Sequence, residues 1–369
     1  MALISLDFVN QLAKQIEKIE NITVDFPPPG KWYHSGNFAL NKIISGVYSK
    51  GIPEKRLTVL AGPSGAGKTF LACNLVKNAQ IEGAFTLYLD SENAADKGTF
   101  AKLGIKTDRA NMLYMQVVTI NDVVKALSEF FNMYFKKYGK NNPDAPSVMI
   151  VLDSIDMLLT DKENDDFESG IQKGDQGQRT KQLKHTLRTL VSRVAKGNIS
   201  FLATHQVYAN QDILNGEGRF IVNNAVRYSA SQIILVNKLK LKEGTEVMGI
   251  RMRAEAYKSR FAKIGSTVDI EVPYAKGMNP FSGLLETLVE KKVVTQGGAW
   301  YTFNNPDGDP IKFQRKNMTK DFVMQMLAHP IVLREEMDIT QLIEDDDFAL
   351  SDEIAELEDC ETVYEGIEE

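Results

Sequence analysis

Residues Gly62-Pro63-Ser64-Gly65-Ala66-Gly67-Lys68-Thr69 satisfy the spacing G-x-x-x-x-G-K-[ST]. Glycines at these positions let consecutive backbone N–H groups turn inward around phosphate oxygens. A helix beginning near Gly67 adds its positive dipole end to the same point. Lys68 is placed to reach the β- and γ-phosphates and the Thr69 hydroxyl to ligate Mg²⁺, with Phe70 the next candidate nucleotide-binding residue. The flanks agree with this reading: Leu57–Leu60 is a short aliphatic run, and Phe70, Leu71, Leu75 and Val76 carry helical spacing. An ordinary Gly-rich strand-to-helix turn would not need every fixed position filled.

Two carboxylates complete a candidate hydrolytic centre. Asp153 ends the apolar run Ser147–Asp153, where a second acidic group binds the P-loop magnesium through water. Glu92 lies just past the run Ala84–Asp90, at the strand ends that line the ligand crevice of an open α/β sheet. It is the candidate general base for the attacking water. Lys258 and Arg260 follow a β-like run two residues apart, and a lysine and an arginine so spaced on a strand share a face. Such a pair can reach a γ-phosphate in the manner of an arginine finger supplied by a neighbouring subunit; an exposed basic edge strand is the plainer alternative.

A second group of cations suits a polyanion. Lys181, Lys184 and Arg188, spaced i, i+3, i+7, form one narrow helical stripe, separate from the apolar stripe Leu183, Leu187, Leu190, Val191 and Val194. Phosphate contacts from such a stripe give salt-dependent, sequence-tolerant binding. Two long Gly-bearing polar segments, about 159–180 and 206–228, read as functional loops. The first offers Lys173 and Arg179; the second offers Arg219, Phe220 and Arg227, charge with an aromatic wedge for unstacked bases.

These residues need a scaffold, and the alternation of strand and helix patterns predicts one. Strands at Leu57–Leu60, Ala84–Asp90, Ser147–Asp153 and Ile199–Thr204 are separated by helical patterns at 70–76, Asn121–Lys137 and 181–196. That order implies an α/β fold with a mostly parallel sheet flanked by helices. Gln232–Val236, Gly249–Ala256 and Thr267–Val272 extend the sheet, and 277–334 reads as a small C-terminal α+β unit. Residues 4–19 place Val9, Leu12, Ile16 and Ile19 on one side of an amphipathic helix, followed by a linker holding Pro27-Pro28-Pro29. The expected domains are 1–30 for subunit contact, a core at 31–276, the small unit at 277–334 and an acidic tail at 335–369.

Composition excludes several classes. Of 369 residues 43% are hydrophobic and 25% charged, and no apolar run approaches the ~18 residues of a membrane span. The start carries no secretory signal pattern, so the expected location is the cytoplasm. Two distant cysteines and four scattered histidines suggest neither a disulfide framework nor a zinc site. The net charge of −6 hides an asymmetry: 16 of the 49 acidic residues lie in Glu335–Glu369, which has no Lys or Arg, leaving 33 acids against 43 bases in the body. A basic body suits a polyanion partner, and the acidic tail either competes for that surface or solubilises the chain.

Taken together, Gly62–Thr69, Asp90-Ser91-Glu92 with Ala101-Lys102-Leu103-Gly104, Val151-Leu152-Asp153-Ser154 and Tyr257-Lys258-Ser259-Arg260 resemble the RecA family of recombinases, and within it the tailed-phage UvsX type. Lys276-Gly277-Met278-Asn279-Pro280-Phe281-Ser282-Gly283 and Gly298-Ala299-Trp300-Tyr301 add to the likeness, which runs from about Trp32 to Phe303. The resemblance implies a RecA-type ATPase core that binds ATP with Mg²⁺ between protomers. It implies a helical filament on single-stranded DNA, homologous pairing with duplex DNA, and mediator or single-strand-binding proteins as accessories, in a host cytoplasm if phage-encoded. It implies Glu92 as base, Asp96 near the adenine, Lys258 and Arg260 acting in trans, the two long loops as DNA-binding loops, and Lys181, Lys184 and Arg188 as a phosphate-contacting helix. The chain departs from the bacterial pattern at Thr204-His205-Gln206, where His205 resembles the phage-type occupant and takes the coupling role. It departs again where an adenine-stacking tyrosine falls on Thr99, with Phe100 beside it. Two other functions share this core: a ring helicase motor, which needs a substantial domain before the ATPase, and an ATP-gated regulatory paralogue, which often lacks the base or the trans cations.

Overall fold

The computed structural model describes residues 4–16, 18–19, 22, 24, 30–170, 177–209, 220–243, 246–273 and 277–336. Two compact units divide at Leu284/Leu285.

In chain order the first unit contains α1 (Leu6–Ile16), β1 (Trp32–Tyr33), α2 (Phe38–Ser45), β2 (Ile52–Pro53), β3 (Leu57–Gly62), α3 (Lys68–Ile81), β4 (Phe85–Asp90), α4 (Lys97–Lys102), β5 (Met112–Gln116) and α5 (Ile120–Tyr138). It continues with β6 (Val148–Asp153), α6 (Asp161–Glu168), α7 (Gln178–Val194), β7 (Ile199–Gln206), β8 (Tyr208–Ala209), β9 (Phe220–Ile221), α8 (Asn224–Ser229), β10 (Gln232–Glu243), β11 (Glu246–Lys258) and β12 (Thr267–Pro273).

Eight strands form one sheet in the order β12-β11-β10-β3-β7-β6-β4-β5. The six from β10 to β5 run parallel, and β11 and β12 add an antiparallel edge. The central strands are apolar along their whole length because both faces are covered. Leu57, Val59 and Ala61 pack with Leu127 of α5 and Leu187 of α7 on one side. Leu60 packs with Leu71 of α3 and Ile44 of α2 on the other. The α/β architecture expected from the sequence is the one found.

Local signals explain most boundaries. α5 begins at a reciprocal cap in which Thr119 and Asp122 bond each other's backbone N–H groups. α2 starts at Asn37, whose side chain accepts from Leu40 N–H, and stops at Gly46 with φ 89°. The segment expected to be loop at 159–180 contains α6, started by a second reciprocal cap, Thr160 with Glu163. In the second long segment β8 and β9 pair antiparallel, Tyr208 with Ile221, before α8 begins. β10 and β11 are longer than their apolar cores suggested, and their pairing continues to Glu243 opposite Glu246 as a hairpin. α1 forms within the expected 4–19 stretch, and none of its residues is buried. The Pro-rich linker and the acidic tail beyond Glu336 lie outside the described residues.

The second unit holds α9 (Leu284–Glu290) from its second residue on, a three-stranded antiparallel sheet of β13 (Val294–Gly297), β14 (Trp300–Phe303) and β15 (Ile311–Phe313), then α10 (Lys320–Leu327) and α11 (Pro330–Glu336). Its core is aromatic, with Phe313 and Phe322 at 4.9 Å and Phe303 edge-on to both Phe322 and His329.

Candidate nucleotide and nucleic-acid sites

β3 delivers the chain into the Gly-rich turn, and α3 leaves it with Gly67 as its N-terminal cap. Gly65 and Gly67 sit at φ 69° and 95°, in the left-handed region that an L side chain resists. Space is equally limiting: a Cβ on Gly67 would stand 2.9 Å from Met252 Cε, and one on Gly62 would stand 2.2 Å from Val236 O. Backbone alone therefore lines the cradle, which is what close approach to phosphate oxygens requires. Lys68 Nζ donates to the carbonyls of Gly62 and Pro63, both at 3.0 Å, and so lies across the turn. Burial pushes its ammonium below the usual lysine range, while Glu92, Asp156 and Asp153 pull it back. Ser64 and Gly65 are exposed; Pro63, Thr69 and Phe70 are half-buried, and Ala66 is buried.

The carboxylates stand beside this lysine, each held differently. Asp153 is buried; its two oxygens accept from the Tyr88 hydroxyl at 2.9 Å and the Thr204 hydroxyl at 2.5 Å. Asp90 pairs directly opposite it across β4 and β6. Asp90 accepts from the backbone N–H groups of Glu92 and Asn93 at 2.9 Å and of Ala95 at 3.2 Å, and from the Tyr114 hydroxyl at 2.7 Å. The turn that presents Glu92 is thus wound around the Asp90 carboxylate, and Glu92 itself is exposed. Burial, then the bond to Asp90, pushes the Tyr114 hydroxyl up to about 12. Tyr88 is pushed up further by burial and by the charge of Asp153.

A backbone cradle, a lysine across it, a hydroxyl at Thr69 and a buried carboxylate at Asp153 together fit a magnesium nucleoside triphosphate. Asp96 caps α4, accepting from Gly98 and Thr99 N–H and from the Thr99 hydroxyl. Phe100 is buried against Tyr88 and Tyr114, so its ring belongs to the core and is not free to stack on a base.

The α7 stripe has the expected form. Lys181, Lys184 and Arg188 are exposed, while Leu183, Leu187, Leu190 and Val194 are buried. Arg179, a candidate nucleic-acid contact, donates to the carbonyls of Leu158 at 2.8 Å, Ile155 at 3.4 Å and Asp156. Phe220 is half-buried and packs against the core, and Arg227 is exposed on α8. Lys173 and Arg219 lie outside the described residues. His205 is buried at the end of β7, with Nδ1 3.0 Å from Asp156 Oδ2 and Nε2 accepting from Asn223 N–H at 3.2 Å.

Lys258 and Arg260 are not beside Lys68. Lys258 Nζ donates to the carbonyls of Arg227 at 2.5 Å and Ala230 at 2.7 Å. The next residue, Ser231, donates to Leu57 O, at the end of β3 away from the P-loop. The five-residue rise from Leu57 to Gly62 is roughly 17 Å. β11 ends at Lys258, so the shared strand face expected for the pair does not extend to Arg260. Burial, then Arg260 and Arg227, pushes the Lys258 ammonium down.

Four residues at these sites escaped the sequence reading. Asp90, Asp156 and Thr204 have roles set by partners distant in sequence. Lys238 approaches from the β10–β11 hairpin: a Cβ on Gly65 would be 3.6 Å from its Nζ. Its signal was the alternation Lys238-Leu239-Lys240-Leu241-Lys242 beyond the apolar core of β10.

A sequence model of the RecA N-terminal domain matches residues 31–279, more than half of the chain. The chain is similar to Protein RecA of Oleidesulfovibrio alaskensis, 26% identical over 294 residues that span 77% of this chain and 75% of the relative. It is similar to Protein RecA of Geobacter sulfurreducens, 26% identical over 72% of this chain and 74% of the relative. Protein RecA 2 of Myxococcus xanthus is 25% identical over 77% and 74%. With the P-loop, the strand-end acids and the parallel sheet all in that match, this chain belongs to the RecA family.

Proposed function

We propose that the chain is a single-stranded-DNA-dependent ATPase that assembles into a helical filament, pairs homologous duplex DNA and exchanges strands, as a recombinase of the tailed-phage UvsX type. The observation that carries this reading is the separation of the hydrolytic groups. Lys68, Thr69, Asp153 and Glu92 gather at one end of the sheet, while Lys258 is anchored at the other, with Arg260 exposed two residues beyond it. A complete centre then needs two copies, the P-loop of one meeting the cations of the next.

In that centre the chain's own residues divide the work. The backbone of Gly62–Thr69 and the Lys68 ammonium bind the β- and γ-phosphates. Thr69, and Asp153 through water, would hold magnesium, which supplies neutralisation of charge on the phosphate oxygens. Glu92 takes a proton from water as its oxygen attacks the γ-phosphorus; the bond to the β,γ-bridging oxygen breaks, and ADP and phosphate leave. Lys258 and Arg260 of the adjoining copy stabilise the charge that develops. Binding of ATP favours the assembled, DNA-gripping state, and hydrolysis lets copies release.

Lys181, Lys184 and Arg188 would contact phosphates of the bound strand. The test is ATP turnover of the purified chain with and without single-stranded DNA, with electron microscopy of the same samples. Stimulated turnover together with filaments supports the proposal; a monomeric chain with no turnover under nucleotide, magnesium and DNA rejects it. The regulatory-paralogue alternative is disfavoured by the presence of Glu92, Lys258 and Arg260 together.

A further inference from the structure

We propose that Asp156 is a positioning residue that makes His205 a relay between the phosphate-binding face and both candidate DNA loops, by fixing the proton and the pose of its imidazole. This rests on the reading of His205 as the coupling residue.

Asp156 lies in the turn 155–158 that follows β6, three residues beyond Asp153. Its Oδ2 faces two donors from the end of β7, His205 Nδ1 at 3.0 Å and Gln206 N–H at 2.5 Å. On the other side of the ring, Asn223 N–H points at Nε2. A backbone N–H can only donate, so Nε2 carries the lone pair, Nδ1 carries the proton, and Asp156 accepts it. Asn223 in turn is the N-terminal cap of α8, its side chain accepting from Ala225 N–H. The residue that leads the second loop into α8 is therefore bonded to a ring whose Nδ1 proton Asp156 accepts.

The same turn is held from the first loop. Arg179, at the start of α7, donates to the carbonyls of Ile155, Asp156 and Leu158. Asp156 is also one of the three carboxylates whose charge acts on Lys68. One short turn thus joins the P-loop lysine electrostatically, the first loop through Arg179, and the second through His205. A displacement of that turn reaches both loops through bonds too few and too direct to absorb it. A carboxylate serving only to close the β6–β7 end would need Gln206 N–H and not the imidazole.

Two measurements on the full chain test the assignment. In the first, selective nitrogen-15 labelling of histidine reads the ring tautomer of His205. The expected result is the Nδ1–H form in the native chain and a smaller Nδ1–H share in Asp156→Ala, where Asn223 N–H is the remaining partner of the ring; an unchanged share would mean that Asn223 alone sets the tautomer and would overturn the assignment. In the second, the ratio of ATP turnover with single-stranded DNA to turnover without it is compared across variants. Asp156→Ala is expected to lower that ratio at least about fivefold, as does His205→Ala. Asp156→Asn, whose amide oxygen can take the place of Oδ2, is expected to keep it within about twofold. An Nε2–H tautomer in the native chain overturns the assignment, as does a ratio that survives Asp156→Ala. Absence of any stimulation in the native chain would sink the DNA-dependent reading instead, and the tautomer would still decide whether Asp156 positions the ring.

Discussion

Lys258 reaches the carbonyl of Ala230, one residue before the backbone bond that ties Ser231 to Leu57 at the start of the strand feeding the P-loop. Its ammonium thereby closes the C-terminal end of α8, where a cation complements the exposed carbonyls. This anchor places a candidate phosphate-binding cation next to the helix that ends the second loop. Whatever moves Lys258 toward a neighbouring nucleotide must let go of α8.

Replacing Lys68 with Ala removes an ammonium that lies across the P-loop turn. A charge-assisted contact of this kind is worth about 1.5–3 kcal/mol, so nucleotide affinity is expected to fall roughly 10- to 100-fold. Nucleotide-dependent assembly, followed by light scattering, is expected to vanish with it. Unchanged filaments at moderate ATP would count against the assignment.

Thr204→Val deletes a hydroxyl that bonds the buried Asp153 and leaves its shape in place. Loss of one donor to a buried carboxylate is expected to destabilise the fold by about 1–3 kcal/mol, read from urea denaturation at neutral pH. A loss below about 0.5 kcal/mol would mean that water replaces the hydroxyl.

Neutralising Lys181, Lys184 and Arg188 to Gln is expected to weaken binding of single-stranded DNA evenly across sequences. The slope of log affinity against log salt should flatten by roughly 0.7 for each phosphate that the variant no longer neutralises. A sequence-selective loss would reassign the stripe to base recognition. An unchanged slope would leave it a solvated helix face.

Stability at alkaline pH follows from phenols that folding takes wholly or partly out of water. Tyr33, Tyr88, Tyr114 and Tyr134 are all raised above the ordinary tyrosine value of 10.0, chiefly by burial, Tyr114 and Tyr134 to about 12. A raised folded value means the protonated form is favoured by folding, so this contribution is complete below 10 and is lost as pH rises past it. Denaturation midpoints are expected to hold with respect to these groups up to about pH 9 and to fall steeply between 10 and 12. Tyrosine ionisation that proceeds in the folded chain at the ordinary value would contradict the burial of these hydroxyls.

What the sequence made legible was local. The P-loop announces itself by fixed spacing, the strands before Gly62, Asp90 and Asp153 by short, mostly apolar runs, and the α7 stripe by helical periodicity. The reciprocal cap Thr160-Asp161-Lys162-Glu163 was also present as a signal for α6, but the surrounding acidic, Gly-bearing composition reads as loop. Arg179 looks like a free cation in a polar stretch, and only the fold brings three carbonyls within its reach. Asp90 and Asp156 owe their roles to neighbours supplied by turns and by other strands, which no spacing rule encodes. The long β10–β11 hairpin was hidden because its outer half alternates lysine with leucine, a pattern suited to a two-sided ribbon and not to a buried strand.

The central claim is that one hydrolytic centre draws on two copies of the chain, and mixing two silent variants tests it most directly. Glu92→Gln is expected to bind nucleotide without turning it over, and Arg260→Ala to lack the neighbour's cation. Combined one to one on single-stranded DNA, they should recover about a quarter of native ATP turnover, the share of interfaces that pair an intact base with an intact cation under random assembly. If the mixture stays silent while mixed filaments form, or if Arg260→Ala alone turns over ATP at the native rate, the two-copy centre is wrong.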